Sequence, residues 1–352
     1  MERSLASADG RPFEDGVAGR LIDAAFDLVG EGGWADFSLR AAAETIGSAG
    51  SAASHRFGDR AGLVSAVSEE ALAREAAGMA AFLSGVVPSG PAELAAMLNE
   101  WLEQRARTGR RLGRMSAELM RASGRDRDLE GFAGRWLDLA ATWIGRLHPA
   151  APDSARRAVA GFLAAETPFR LLLADDPEFR LVSQESLGRA VVLALRGRDL
   201  PPPCWLQRSL ALAPPQGPSG LQGVKQASVE AAARLIAEGG VLSLTHREIA
   251  KRSGASLSSL TYHFNSLDDL IRQGFEGLFA APAPPPPIAV HELALQALRD
   301  PRLTPLALLA RRRLALSDGR APDADLQAMG AREARAMLAI ASALAGEPAP
   351  AL

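Results

Sequence analysis

The chain has 352 residues, of which 47% are hydrophobic and 23% charged, and its formal net charge is −2. This length and balance are typical of a globular protein with two or more domains. The near-neutral charge excludes a global positive field that would draw the protein to nucleic acid or anionic lipid, so any such binding must come from local patches.

Enzymatic and membrane functions are disfavoured by what the sequence lacks. Cys204 is the single cysteine, which excludes a disulfide framework or a cysteine metal site within one chain and fits a reducing compartment. The histidines do not cluster, and no nucleophile–base pair or phosphate-binding glycine loop stands out. The acidic N-terminus is no signal peptide, and no stretch approaches ~18 apolar residues. We expect a cytoplasmic protein that is not an enzyme, with no catalytic residue, cofactor, metal or membrane contact.

Apolar residues recur at helical spacing along the chain, beginning with Ile22, Ala25, Phe26 and Val29. No sustained alternation of apolar and polar residues indicates a strand, so the spacing predicts an all-α fold. Prolines interrupt the helical pattern twice, within 199–222 and again at 281–288. The first interruption predicts a semi-rigid linker, and the second predicts that a helix ends near Phe279.

An internal repeat relates the two halves of the chain. Matching Gly32 to Gly239 gives an offset of 239 − 32 = 207, which holds without a gap from Ala24/Ala231 to Leu63/Leu270, with 12 identities in those 40 positions. A gapless register of this length favours a duplication.

Each copy predicts four short helices. A Gly-Gly pair ends the first helix, Ser38 or Thr245 begins the second, and Gly47 or Gly254 makes a tight turn before the third. Thr245 and Glu248 form a capping box, and Ser256 and Ser266 are the N-caps of the last two helices in the second copy. A capped helix, a glycine turn and a short polar helix indicate a helix-turn-helix.

The third helix of the second copy, within "SGASLSSLTYHF", fits a DNA major groove. Leu257, Leu260 and Phe264 are spaced to form its buried back. The groups predicted to face DNA are hydroxyls, a phenol and an imidazole, supplied by Ser256, Ser258, Ser259, Thr261, Tyr262 and His263.

At these residues the sequence resembles the tetracycline-repressor-like (TetR) family of bacterial transcriptional regulators. The resemblance rests on "AAARLIAEGGVLSLTHREIAKRSGASLSSLTYHFNSLDDLI" and covers about 45 residues in each copy. It implies a DNA-binding head and a helical body that binds a small effector and dimerises. Where members commonly carry a phosphate-contacting lysine, the second copy has Leu267 and the first has Arg60. The first copy also has weak apolar backing for its third helix, where Ala53 stands.

The resemblance predicts tandem TetR-like heads on helical bundle bodies. The expected segments are a first head at 18–64, an effector and dimerisation body at 65–198, the linker at 199–222, a second head at 223–279 and a shortened C-terminal domain at 280–352. The expected DNA-contacting residues are Arg40, Ser51, Ser54, His55, Arg56 and Arg60 in the first head, with Thr245, Arg247, Ser256, Ser258, Ser259, Thr261, Tyr262 and His263 in the second.

Bulky adaptable side chains in the first body suit either a helical core or a pocket for a small apolar effector. They are Met97, Trp101, Met115, Met120, Phe132, Trp136 and Trp143. The arginines between Arg105 and Arg114 are interpreted as a solvated surface. A homodimer through 153–197 is the favoured assembly, and an intrachain pairing of the two halves is the alternative.

Two functions remain open at this stage. The first is a ligand-responsive regulator, usually a repressor in this family, that binds a double-stranded operator. The second is a degenerate sensor or protein-interaction module that pairs with another regulator. The second is favoured by charge, because residues 1–64 carry six basic and ten acidic groups, whereas residues 224–279 carry six of each.

Overall fold

The computed structural model describes residues 16–34, 37–82, 85–197, 204–205, 217–218, 220–281, 285–314, 336–337 and 339–344. These residues form helices joined by turns and contain no strand, which confirms the all-α prediction. Most of the predicted linker and much of the predicted C-terminal domain lie outside the described residues. Within the described residues, no helix is both long and apolar enough to cross a membrane.

The first half of the chain contributes nine α-helices to the described structure. Their bounds are α1 (Val17–Gly32), α2 (Leu39–Thr45), α3 (Gly50–Phe57), α4 (Arg60–Phe82), α5 (Pro91–Arg107), α6 (Arg110–Ser123), α7 (Phe132–Leu147), α8 (Asp153–Leu173) and α9 (Pro177–Arg196). A 3-10 turn, Arg127–Leu129, joins α6 to α7.

The described part of the second half repeats the same beginning. Its helices are α10 (Gly223–Gly239), α11 (His246–Ser253), α12 (Leu257–His263), α13 (Leu267–Ala280), α14 (Pro287–Ala297) and α15 (Thr304–Arg313). The starts of α2, α3 and α4 differ from those of α11, α12 and α13 by 246 − 39, 257 − 50 and 267 − 60, each of which is 207.

The helix boundaries follow local signals in the sequence. Thr245, Ser256 and Ser266 each accept a hydrogen bond from a backbone N–H three residues later, as predicted for N-caps. Gly47 and Gly254 adopt positive φ values of 65° and 71°, which confirms the predicted tight turns. The helix before the second proline interruption ends at Ala280, one residue from the predicted end.

Close helix packing in the second head requires one further glycine. A Cβ atom on Gly274 of α13 would lie 3.0 Å from Ile236 Cδ1 and 3.1 Å from Ala232 Cβ, both on α10. Because this contact leaves no room for a side chain, Gly274 permits α10 and α13 to pack closely.

The chain divides into two compact units inside α8, not at the proline-rich stretch. The first unit holds the described residues up to Ala160 together with Leu344, and the second holds those from Gly161 to Ala343. Within the second unit, Arg311 Nε on α15 lies 2.8 Å from Glu166 Oε2 on α8, and both side chains are fully buried.

More than half of the residues that the sequence predicted for homodimerisation, 153–197, are buried within the chain. From Ala158 to Leu171, every residue of α8 is buried within a single chain. In the second unit, Ser183 of α9 donates a hydrogen bond to Glu166, and Arg312 of α15 lies 3.2 Å from Glu178. Little of α8 therefore remains for a second chain to contact.

Candidate nucleic-acid interface

The third helix of the second head packs against the rest of that head along one face. Leu260 and Phe264 are buried against the head, as the sequence predicted. Leu257 is 53% exposed, so the prediction that it forms part of the buried back is wrong. Leu257 is the first residue of α12, directly after the N-cap Ser256. No helical turn precedes it to hold its side chain against the core.

The predicted DNA-facing residues of the second head lie open to solvent. Ser259 is half-buried, and the others are exposed, namely Thr245, Arg247, Ser256, Ser258, Thr261, Tyr262 and His263. Tyr262 is 85% exposed, and its ring contacts the imidazole of His263 edge-on at 5.2 Å between ring centres. The structure therefore brings one hydroxyl-rich, aromatic surface to the outside of α12.

Two exposed cations accompany this surface on α11. Arg247 and Lys251 make no ion pair in the part of the chain that the structure describes, whereas Arg252 lies 2.8 Å from Glu238. Free cations are available to neutralise DNA phosphates. Lys251 was missed in the sequence, although its position four residues after Arg247 places both on one helix face.

The first head presents its third helix differently. Ser51, Ser54, His55 and Arg56 are exposed on α3, as predicted for DNA contacts. The helix begins without a side-chain cap, and Ala53 is its one buried residue. Its apolar backing is therefore as weak as the sequence indicated.

The two arginines predicted to contact phosphate from the first head have acidic partners. Arg40 Nε donates to Glu44 at 2.7 Å on the surface of α2. Arg60, at the start of α4, donates to Asp126 at 2.7 Å and to Asp128 at 3.0 Å. A phosphate contact at Arg60 would have to compete with these two carboxylates.

Residues 229–273 match the family model described as bacterial regulatory proteins, tetR family. The second head is therefore similar to the tetR-family model over these residues. This match supports a helix-turn-helix regulator of transcription that binds DNA. No curated protein matches the chain.

Arg60 also links the first head to the body beside it. Its guanidinium lies over the rings of Trp34 and Phe37, at 5.5 and 5.9 Å from the ring centres. Trp34 Nε1 donates to Asp126 at 2.9 Å. Burial of Asp126 opposes its ionisation, but hydrogen bonds from Arg60 and Trp34 outweigh this effect and lower the pKa of the carboxyl group. The cluster fixes α4 to the turn between α6 and α7.

We expect Asp126→Asn to lower the free energy of unfolding by about 1 kcal/mol at pH 7. Because the folded-state pKa of Asp126 is lowered, its contribution is complete above the ordinary carboxyl pKa and disappears as pH falls through the lowered value. Urea unfolding of both proteins at pH 7 and pH 3 measures this difference. Glu44→Gln at the exposed Arg40 pair is the control, and an Asp126→Asn deficit of equal size at both pH values would contradict the prediction.

Six of the seven residues predicted for an effector pocket lie in the core of the first body. Trp101, Met115, Met120, Phe132, Trp136 and Trp143 are buried, and Met97 is half-buried. The structure brings the three tryptophans together, with ring centres 5.2 Å apart for Trp101 and Trp143 and 6.5 Å apart for Trp101 and Trp136.

A buried ionic group lies against these tryptophans, and the sequence interpretation missed it. Arg105 was predicted on a solvated surface, but it is buried, donates to both carboxylate oxygens of Glu75 and lies over Trp101 and Trp136. Ser116 donates to the same carboxylate. Helical spacing could have indicated its burial, because Arg105 lies seven residues after Leu98 and four after Trp101 on the buried face of α5, whereas its partner Glu75, 30 residues away, could not be predicted.

Proposed function

We propose that the chain is a ligand-responsive repressor in which the second head makes the principal DNA contact. The observation that carries this proposal is the contrast between the heads. Among the described residues, Arg247 and Lys251 of the second head make no ion pair, whereas Arg40 and Arg60 of the first head are held by carboxylates. A cation without an ion pair contacts a DNA phosphate at a lower cost in free energy, because no existing ion pair must be broken first. The helix starts of the two copies differ by the same 207 residues, which supports a tandem duplication.

The test is a selection of bound fragments from genomic DNA with the purified full-length protein. A DNA-binding regulator enriches a defined set of fragments, and its affinity for them falls steeply as salt increases, because phosphate contacts release counterions. Repression is then measured with a reporter gene placed behind an enriched fragment. Failure to enrich any fragment, or binding that is insensitive to salt, would exclude the proposed function.

Ligand response is supported by the donors buried in the first body. Arg105 Nε, Trp136 Nε1 and Trp143 Nε1 are buried and have no acceptor among the residues that the structure describes. A small apolar or aromatic effector carrying a carbonyl or carboxylate oxygen would supply one. A coupling of about 1–3 kcal/mol is usual between an effector site and a DNA-binding site. Release of a bound fragment by such a compound identifies the effector.

We infer that the chain pairs its halves internally instead of forming the homodimer through 153–197. The burial of Ala158–Leu171 within one chain and the Glu166–Arg311 contact support this inference. Sedimentation equilibrium at micromolar concentration is expected to give the mass of one chain. A concentration-dependent dimer that is disrupted by charged substitutions on the exposed face of α9 would contradict it.

The alternative function, a degenerate sensor or protein-interaction module, is favoured by one observation that concerns the first head. Its arginines have internal partners, and its segment is acidic. Comparing a gel shift on genomic fragments with a pull-down by the purified chain separates the two functions. Under this alternative the chain would pair with another regulator and would not bind DNA strongly by itself.

A further inference from the structure

We propose that Leu257 of the second head reads thymine through its 5-methyl group, an inference that rests on the DNA-binding role proposed above. Leu257 is the first residue of α12, the helix expected to enter the major groove. Its exposure was not foreseen from the spacing of apolar residues. Leu257 is 53% exposed on the same short helix as the exposed Tyr262, so its isobutyl group is available to a base edge in the groove.

The hydroxyl groups around Leu257 are largely occupied by local hydrogen bonds. Ser256 Oγ accepts from the backbone N–H of Ser259 at 3.1 Å and lies 3.0 Å from Ser258 Oγ. Thr261 Oγ1 donates to the backbone carbonyls of Leu257 and Ser258 at 3.3 and 3.1 Å. These bonds reduce what the hydroxyls offer to base edges, since each hydroxyl has a single proton to donate.

The exposed large hydrophobic side chains of α12 are Leu257 and Tyr262, which are 53% and 85% exposed. The offset of 207 places Gly50 and His55 at the corresponding positions of the first head. The first head thus lacks an apolar side chain at the first position of its third helix. The two heads would not read the same sequence.

The chemistry of the major groove selects the partner of Leu257. Guanine, cytosine and adenine present hydrogen-bond donors or acceptors there, whereas thymine also presents a methyl group. An isobutyl side chain forms no hydrogen bond, so it gains by covering the methyl group and loses by covering unsatisfied polar atoms. Leu257 would therefore favour thymine at one position of the bound site.

The experiment replaces each thymine of an enriched fragment with deoxyuridine, which removes the methyl group and leaves base pairing intact. At one thymine, the wild-type protein is expected to lose affinity about fourfold, the value of one buried methyl group. Leu257→Ala is expected to bind the thymine site about tenfold more weakly and to show no further loss with deoxyuridine there. Leu257→Met keeps an apolar side chain and should retain the methyl dependence.

Val224→Ala is the matched control, because Val224 is also an exposed apolar residue of the second head but lies on α10. It should bind like the wild type and keep the deoxyuridine effect. The inference is overturned if the fold losses in affinity from Leu257→Ala and from deoxyuridine multiply at every thymine. It is also overturned if no deoxyuridine replacement changes the affinity. Either result would leave DNA binding by the second head standing. Failure to enrich any fragment overturns both proposals. Circular dichroism and thermal melting confirm that each variant is folded.

Discussion

Arg247→Ala and Tyr262→Ala are each expected to weaken binding to enriched DNA fragments about tenfold or more, a loss of about 1–3 kcal/mol. Arg247 is an exposed cation without an ion pair in the described residues, so its removal takes away a group ready to contact phosphate. Tyr262 projects 85% exposed from α12 and can contact a base or a phosphate. Fluorescence anisotropy with labelled fragments at two salt concentrations measures the losses.

The two variants are expected to differ in their dependence on salt. Arg247→Ala should reduce the slope of log affinity against log salt by about one, because one phosphate contact is lost. Tyr262→Ala should leave that slope unchanged, since a neutral phenol releases no counterion.

The first head supplies matched controls through the 207 offset. Arg40→Ala and His55→Ala alter the positions that correspond to Arg247 and Tyr262. Because Arg40 already donates to Glu44, its loss should weaken DNA binding less than the loss of Arg247. Larger effects from the first-head pair than from the second-head pair would contradict the assignment of the principal contact.

Arg311→Met is expected to lower the free energy of unfolding by about 3–5 kcal/mol, because it leaves the fully buried Glu166 carboxylate without its cation. Glu166 would keep the hydrogen bond from Ser183, whose hydroxyl accepts from Nε of the buried Arg170, but it would lose the direct contact with Arg311. Chemical denaturation of the full chain, followed by circular dichroism, measures the effect. The loss is expected to appear in the unfolding of the second unit, which contains both residues.

The double variant Glu166→Gln/Arg311→Met tests whether charge is the cause. Removing both charges should lower the free energy of unfolding by less than the sum of the two single changes, because neither Glu166 nor Arg311 is left as a buried ion without its partner. Arg312→Met is the control at the next residue, because its partner Glu178 is 54% exposed and water can solvate that carboxylate. Equal losses from Arg311→Met and Arg312→Met would contradict the role of the buried pair.

The sequence by itself determined the helical fold, the helix boundaries of the second head and its match to tetR-type domains. Ser256 and Thr245 cap their helices, and Gly254 adopts the positive φ that its turn requires. These features depend on hydrogen bonds and torsion angles within three or four residues, so the local sequence contains the necessary information. The apolar backing by Leu260 and Phe264 follows from helical spacing for the same reason.

Only the tertiary structure decided which charged groups are held in ion pairs and which apolar side chains stay exposed. Arg60 is captured by Asp126, 66 residues away, and Glu166 by Arg311, 145 residues away. Arg105 lies buried against Glu75, although its neighbours in sequence are exposed arginines, and Leu257 lies outside the core that spacing predicted for it. Charge pairing depends on which distant segments meet, and periodicity along one helix does not contain that information.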